Sequence, residues 1–473
     1  MSPTSHNLLV LSDVHLGSDL VHHARPDAPL RTETSVRRDR ELVALLDWYR
    51  ARPRGGRPWR LVVAGDLIDF AGMCVPIAAE IETEPTDEER QHGLGSTADH
   101  TIAKLHMVAE HHAPVFSAFA RFVAAGNTLV VVRGNHDVDL HWPAVQEAFR
   151  KILDTHATIE RDRVEFSDWF YYEEGVVWVE HGHQYDAYCS YEHVLHPVLP
   201  SDPRRTWTSI ADVLLRFVVR PTRGMTESGH EAKSALDYFR FGCRLGASGL
   251  IGLGRRFAGA VGALIGLWRE HTSSAATWMR EEHERKMGLL AEARKISVLK
   301  LHALRKLQRP PVTKSLIHIL AGLMLDRVAL AVMSFIGLLW LLVARWTPEL
   351  GIAVATVVPL VAALAWVVRR ARGSVDPSDI LREQATRVAA LFPAAFIVMG
   401  HTHNPELRPR EDGAGTYVNL GAWAEEEAEE EDAPPLPASR THLVVCVEGD
   451  KATAELLAWV ETDGPRRFDH PAG

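Results

Sequence analysis

Five short apolar runs, each followed at once by a cluster of aspartate, histidine or asparagine, limit what this chain can fold into more than any other feature. The runs cover residues 8–11, 60–64, 128–132, 176–180 and 395–399, with the length and composition of buried strands. After them come Asp13-Val14-His15, Gly65-Asp66-Leu67-Ile68-Asp69, Gly134-Asn135-His136-Asp137, His181-Gly182-His183 and Gly400-His401-Thr402-His403. Helical stretches are expected at 35–51, 98–125 and 143–153. Further strands are expected at 416–420, 441–448 and 452–460, the last two joined by the turn signal Gly449-Asp450. This alternation predicts an α/β fold with a β-rich C-terminal part. One histidine beside a strand is ordinarily a satisfied polar residue. Five clusters at the carboxyl ends of strands, where open α/β sheets form their sites, point to one centre.

Residue type gives the chemistry. Imidazole nitrogens mixed with carboxylate and amide oxygens suit manganese, iron or zinc better than calcium. Alternation along a strand lets residues i and i+2 face the same way, so Asp13 and His15 can reach one ion together, as can His401 and His403. Asp66 can bridge two ions, and two ions ~3.5–4 Å apart form the clamp used for in-line displacement at phosphorus. The glycines before Asp66, Asn135 and His401 allow tight turns that aim the next side chain.

The ordered set D-x-H, G-D-x-x-D, G-N-H-D, H-G-H and G-H-T-H, with Tyr417-Val418-Asn419-Leu420-Gly421 after it, resembles the calcineurin-like metallophosphoesterases. The resemblance implies a four-layer αββα sandwich and two divalent metal ions, manganese first, with iron, zinc or magnesium as the others. It implies that one ion takes Asp13, His15, Asp66 and His403, and the other Asp66, Asn135, His181 and His401. His136 would stabilise the phosphoryl oxygens or protonate the leaving group, with Asp137 orienting it. Asp69 and His183 would be structural or would support the ligands from behind. The implied reaction is hydrolysis of a phosphoester or pyrophosphate bond by a metal-bridging hydroxide, with His136 as general acid. A looser resemblance, carried by Ser12-Asp13-Val14-His15-Leu16-Gly17 and by a helical insert between the fourth and fifth motifs, is to UDP-2,3-diacylglucosamine pyrophosphatase-type members. Those enzymes carry arginine where this chain has His136, and their lid is shorter and does not span a bilayer. Their substrate is therefore not transferred.

The motifs divide the chain into a core at 1–190, an insert at 191–380, a second core part at 381–462 and a tail at 463–473. Residues 191–380 carry 26 Lys and Arg against 15 Asp and Glu. With a total of −9, the remainder carries −20, which describes a basic surface module set in an acidic body. Within the insert, residues 328–344 (17 residues) and 350–368 (19 residues) hold no charge and are separated only by Arg345-Trp346-Thr347-Pro348-Glu349. Each approaches the ~20 residues that cross a bilayer core. Arg327 and Arg345 can snorkel, Trp346 suits an interface, and membrane helices tolerate the kink of Pro359. Arg369, Arg370 and Arg372 place the end of the second span in the cytoplasm. The expectation is a transmembrane hairpin in the inner, cytoplasmic membrane with the catalytic domain in the cytoplasm, in keeping with an N-terminus that lacks a secretory signal. The alternative is a buried helical hairpin in a soluble core. Residues 278–314, with Leu289, Leu290, Ile296, Leu299, Leu301 and Leu304 on one face, read as a basic helix on an anionic membrane surface or as a solvated stalk. Residues 245–268 read as a membrane-surface or re-entrant segment, or as a third span.

The expected partners are a phosphoester substrate, lipid-linked or membrane-adjacent, and the membrane itself; a phosphoprotein or nucleotide substrate is the alternative. The acidity of the catalytic body argues against nucleic acid, and so against a nuclease. A non-catalytic scaffold of the same fold would lack ligands that are all present here, and two charge-free spans provide no transport path. Cys74, Cys189, Cys243 and Cys446 form no C-x-x-C pair, which excludes a disulfide framework and a zinc–cysteine site and fits a reducing compartment.

Overall fold

The computed structural model describes residues 6–77, 81–222, 224–225, 241, 244–323, 355–356, 358–360, 362–363, 366–368, 370, 376–410, 413–425, 438–448 and 451–468. Its strands are β1 (Asn7–Leu11), β2 (Trp59–Ala64), β3 (Thr128–Val132), β4 (Val164–Ser167), β5 (Phe170–Glu173), β6 (Gly175–Glu180), β7 (Ala394–Met399), β8 (Glu406–Pro409), β9 (Thr416–Asn419), β10 (Thr441–Glu448), β11 (Lys451–Val460) and β12 (Gly464–Arg467). They form a seven-stranded sheet in the order β12-β11-β10-β1-β2-β3-β4 and a five-stranded sheet in the order β5-β6-β7-β9-β8. β1 to β4 run parallel, and β10 returns antiparallel beside β1.

Alternation along the strands builds the layers. Leu9, Leu11, Leu61, Val63, Leu129 and Val131 face outward onto the helices Glu33–Arg50, Ala98–His111, Ala113–Ala124 and Pro143–His156. Their neighbours Leu8, Val10, Val62, Ala64, Val130 and Val132 face inward and meet Val177, Val179, Val398 and Val418 of the second sheet. On the far side, Trp178, Ile397 and Met399 pack under Leu381, Ala385 and Val388 of the helix Ser378–Leu391. The order is helix, sheet, sheet, helix, as the resemblance implies.

Several expectations are corrected. The helix expected at 98–125 is two helices that meet at His112, because Pro114 has no N–H to continue the first and its ring clashes with the preceding turn. Gly464–Arg467 lies in the expected tail yet pairs with β11. The helix Ser378–Leu391 crosses the boundary expected at 380–381, since its apolar face is needed to cover the second sheet. Residues 278–314 form neither a single amphipathic helix nor a free stalk. The helices Ala275–Arg294 and Val298–Leu307 turn at Lys295, whose φ is 54°. Of the expected face, Leu301 and Leu304 are buried against the second sheet, whereas Leu289 and Leu299 are exposed.

A fourth apolar cluster lies beside the sheets. Ala260, Leu264 and Leu267 of the 26-residue helix Gly246–His271 pack on Tyr191, Trp207, Ile210, Val213 and Val218. Among the described residues this is the one helix long and apolar enough to cross a membrane, and only 17% of its apolar window is buried. The expected span at 328–344, and much of that at 350–368, lie outside the described residues.

Candidate metal centre

The loops after β1, β2, β3, β6 and β7 meet at one place and are cross-linked by backbone hydrogen bonds. His15 N–H donates to the Asp66 carbonyl at 2.9 Å, and Gly400 N–H donates to the His181 carbonyl at 2.9 Å. Trp423 and Ala424 both donate to the Asp13 carbonyl at 3.0 Å. Asp13, His15, Asp66, His401 and His403 all hold positive φ, between 50° and 71°. Lys295 and Arg440 are the other non-glycine residues in that region among the described residues. Side chains rarely adopt this conformation, and the surrounding fold must impose it. Asp13 and His15 therefore converge through left-handed turns beyond the end of β1, and not through the alternation of an extended strand.

The glycines matter for space as much as for turning. A Cβ on Gly134 would stand 2.0 Å from Asp66 Oδ1, and one on Gly400 would stand 2.0 Å from Ser12 Oγ. Gly65 needs both freedoms: its φ is +89°, and a Cβ would meet the His181 ring at 2.5 Å.

The side chains form overlapping groups of ligand atoms lying within 4.8 Å of one another: Asp13, His15 and His403; Asp13, Asp66 and His181; and His15, Asp69 and His136. His403 Nε2 is 3.2 Å from Asp13 Oδ1, and His15 Nε2 is 3.8 Å from Asp66 Oδ2. His181 Nε2 is 3.1 Å from Asp66 Oδ2 and 3.0 Å from Asn135 Oδ1. Asp66 thus touches both expected ligand sets. The ring of His401 lies 5.2 Å from that of His181, with its Nε2 on Asp186 Oδ2 at 3.1 Å. His183 sits behind His181, ring centroids 5.4 Å apart, and belongs to none of these groups.

His15 Nε2 is buried without a hydrogen-bond partner, 3.9 Å from Asp13 Oδ1, which has the His403 imidazole at 3.2 Å. A buried imidazole nitrogen left unpaired beside a carboxylate is costly in a folded protein, and a divalent cation satisfies both. The residues therefore fit a metal. A further group, Asp19, His111 and His112, lies elsewhere. There His112 already accepts the Gly17 N–H and donates to Asp39, so its ring nitrogens are satisfied by the protein.

The electrostatics reflect crowded, buried charge. Burial opposes ionisation of Asp13, but His181 and His403 outweigh it and hold the carboxyl down at about 2. Burial also pulls His181 down, and Asp66 and Asp13 outweigh it, pushing the imidazole up to about 9. His15, buried beside His136, falls to about 3.

The structure separates two aspartates that sequence reasoning ordered differently. Asp137 does not orient His136. Its carboxylate accepts the Leu67 N–H at 2.8 Å and the Gly134 N–H at 2.6 Å, bracing two ligand loops, and burial with Asp66 nearby raises it to about 7. The carboxylate on His136 is that of Asp69, 2.7 Å from Nδ1. Ionised Asp69 accepts only, so Nδ1 carries the proton. Three residues escaped sequence reasoning altogether. Asp186 holds His401, Arg220 donates to Asp69 at 2.8 Å, and the Tyr191 hydroxyl donates to the Asn135 carbonyl at 2.8 Å. All three follow the H-G-H motif, in a stretch whose path over the site carries no local signal.

No curated protein matches the chain. The site's first four motifs lie within residues 6–221, and it is over these residues that the chain matches the family model described as calcineurin-like phosphoesterase.

Proposed function

We propose that this protein is a metal-dependent phosphoester hydrolase that works with two divalent ions at a membrane surface. The observation that carries this reading is the convergence of ligand atoms of Asp13, His15, Asp66, His181 and His403, with Asn135 and His401 beside His181. Asp13, His15, Asp66 and His403 would hold one ion, and Asp66, Asn135, His181 and His401 the other, with Mn²⁺ the first candidate. Bound there, divalent ions neutralise charge on phosphoryl oxygens and lower the pKa of water. His136, 9% exposed at the edge of the cluster, is placed to meet a substrate while Asp69 fixes its tautomer. It gives the leaving oxygen its proton. His403, with 29% of its side chain exposed, marks the open side.

The membrane part of the reading is supported by the apolar helix Gly246–His271 and by the charge-free residues 328–344 and 350–368. That placement favours a lipid-linked or membrane-adjacent phosphoester as substrate. The test is a hydrolysis panel with detergent-purified protein and added Mn²⁺, covering phosphomonoesters, phosphodiesters, nucleotide-linked lipids and phosphopeptides, together with metal analysis. Hydrolysis of one class with about two ions per chain is expected. A protein that binds no metal and cleaves nothing on the panel overturns the reading.

A further inference from the structure

Three segments meet at Asp69. Its Oδ1 accepts the His136 Nδ1–H at 2.7 Å and the Gly72 N–H at 2.8 Å, and its Oδ2 accepts Arg220 Nη2–H at 2.8 Å. Asp69 is 0%, Arg220 6% and His136 9% exposed. A Cβ on Gly72 would lie 2.3 Å from Asp69 Oδ2 and 2.7 Å from Arg220 Nη2, so the ion pair occupies the space a side chain would need. Buried ion pairs are seldom kept for stability, because desolvation cancels most of the attraction, but they fix geometry. This one fixes the carboxylate that holds His136.

Arg220 belongs to none of the motifs and is 151 residues from Asp69. It follows a π-helical turn, Leu215–Val219, and its N–H donates to the Leu215 carbonyl at 2.9 Å, five residues back. Single π turns are uncommon and gather at functional sites, because the extra residue in the turn re-aims whatever follows. Here that is Arg220. The turn rests on the apolar helix: Val213 and Val218 share a cluster with Ala260 and Leu264, and a Cβ on Gly259 would touch Phe217 at 3.3 Å. Beyond the turn, Arg256 of that helix donates to Thr222 Oγ1 at 3.0 Å.

We propose that Arg220 is a positioning residue, through which the helix Gly246–His271 and the π turn hold Asp69 and thereby set the tautomer and aim of His136. Delivery of the leaving-group proton then depends on how that helix is seated. The kinetic consequence rests on the phosphoesterase reading; the positioning itself does not.

Two measurements test this on the full-length protein. The first is the imidazole Nδ1–H resonance of His136 in ¹⁵N-histidine-labelled protein, assigned by its loss in His136→Ala. It is expected to shift or vanish in Arg220→Met and to return in part in Arg220→Lys, which restores charge but not the planar fork. The second is kcat/KM for phenyl and p-nitrophenyl esters. Arg220→Met is expected to slow the phenyl ester by about 10²-fold, as misplacement of a catalytic group does, and the p-nitrophenyl ester by under about tenfold, since that leaving group needs little protonation. In a His136→Ala background, Arg220→Met should add nothing, because both act on one step. An unshifted resonance, an equal loss on both esters, or additive losses overturn the proposal. If Arg220→Met fails to fold, Arg220→Lys and Arg220→Gln decide by the same readings. If the wild type cleaves neither ester nor any other class on the panel and binds no metal, the hydrolase reading fails, and the resonance still decides the role of Arg220.

Discussion

Asp66 is the residue whose loss the site can least absorb. It lies against His181 and His15, and its Oδ1 also accepts the His136 N–H at 2.9 Å. Asp66→Ala is expected to lose both hydrolysis and bound metal, whereas His136→Ala is expected to keep its metal and lose about 10²–10⁴-fold in turnover. Metal analysis beside kinetics separates the two, and equal metal loss in both variants contradicts the division of roles. His181 adds a pH dependence. Its value of about 9 lies above its ordinary 6.5, so its contribution to stability is complete below pH 6.5 and disappears as pH rises through about 9. An imidazole that binds a metal must be neutral, so metal binding there would compete with the same proton. In thermal melts of metal-stripped protein this group's contribution should fall between pH 6.5 and 9, while the stabilisation gained on adding metal grows; His181→Gln should flatten both trends. That Asp13, His15, Asp66, His181 and His403 belong to one cluster was legible, because their residue types and order mark the strand ends that meet there. The left-handed backbone of Asp13, His15, Asp66 and His403 was not, since nothing in Asp, His or the flanking residues announces a positive φ imposed by tertiary contacts. Nor was the exchange between Asp69 and Asp137: both follow a glycine-containing motif, and only the fold decides which carboxylate faces an imidazole and which faces backbone N–H groups.

The interior strands could be read from their apolar runs, and the edges could not. The four strands that sequence reasoning missed are β4, β5, β8 and β12, which close both sides of both sheets. Each has four residues. Edge strands are kept short and polar against aggregation, and this erases the pattern by which a strand is recognised. Arg408, Arg466 and Arg467 supply such charge here. The helix Gly246–His271 shows the reverse: it is apolar apart from Arg255, Arg256 and its last turn, but only the side bearing Ala260, Leu264 and Leu267 is buried. Leu264→Ala is expected to cost about 2–5 kcal/mol locally. Hydrogen exchange should accelerate in residues 210–219 and 246–271 together while the β1–β3 amides stay protected. Acceleration confined to the mutated helix would mean that the π turn is held by something else.

Over the whole molecule, the contrast of +11 in residues 191–380 against −20 elsewhere suits a basic module turned towards anionic lipid and an acidic body turned away. The intact protein is expected to sediment with membranes and to resist carbonate. Replacing residues 327–372 with a Gly/Ser linker should leave an attachment through Gly246–His271 and the basic surface that high salt weakens, at ~1 kcal/mol per near-surface Lys or Arg. Metal content and cleavage of a small soluble ester should survive, because every candidate ligand lies outside the deleted residues. Release of the intact chain by salt alone contradicts the membrane placement. The chain's path has one more consequence. His401 N–H donates to Asp13 Oδ2 across 388 residues, and β10 completes the side of β1 opposite β2. A nascent chain emerging from the ribosome with its first six strands made has neither His401 nor His403, and β1 still lacks one neighbour. Contacts so distant in sequence form late. The candidate site is thus complete only once nearly the whole chain has been made.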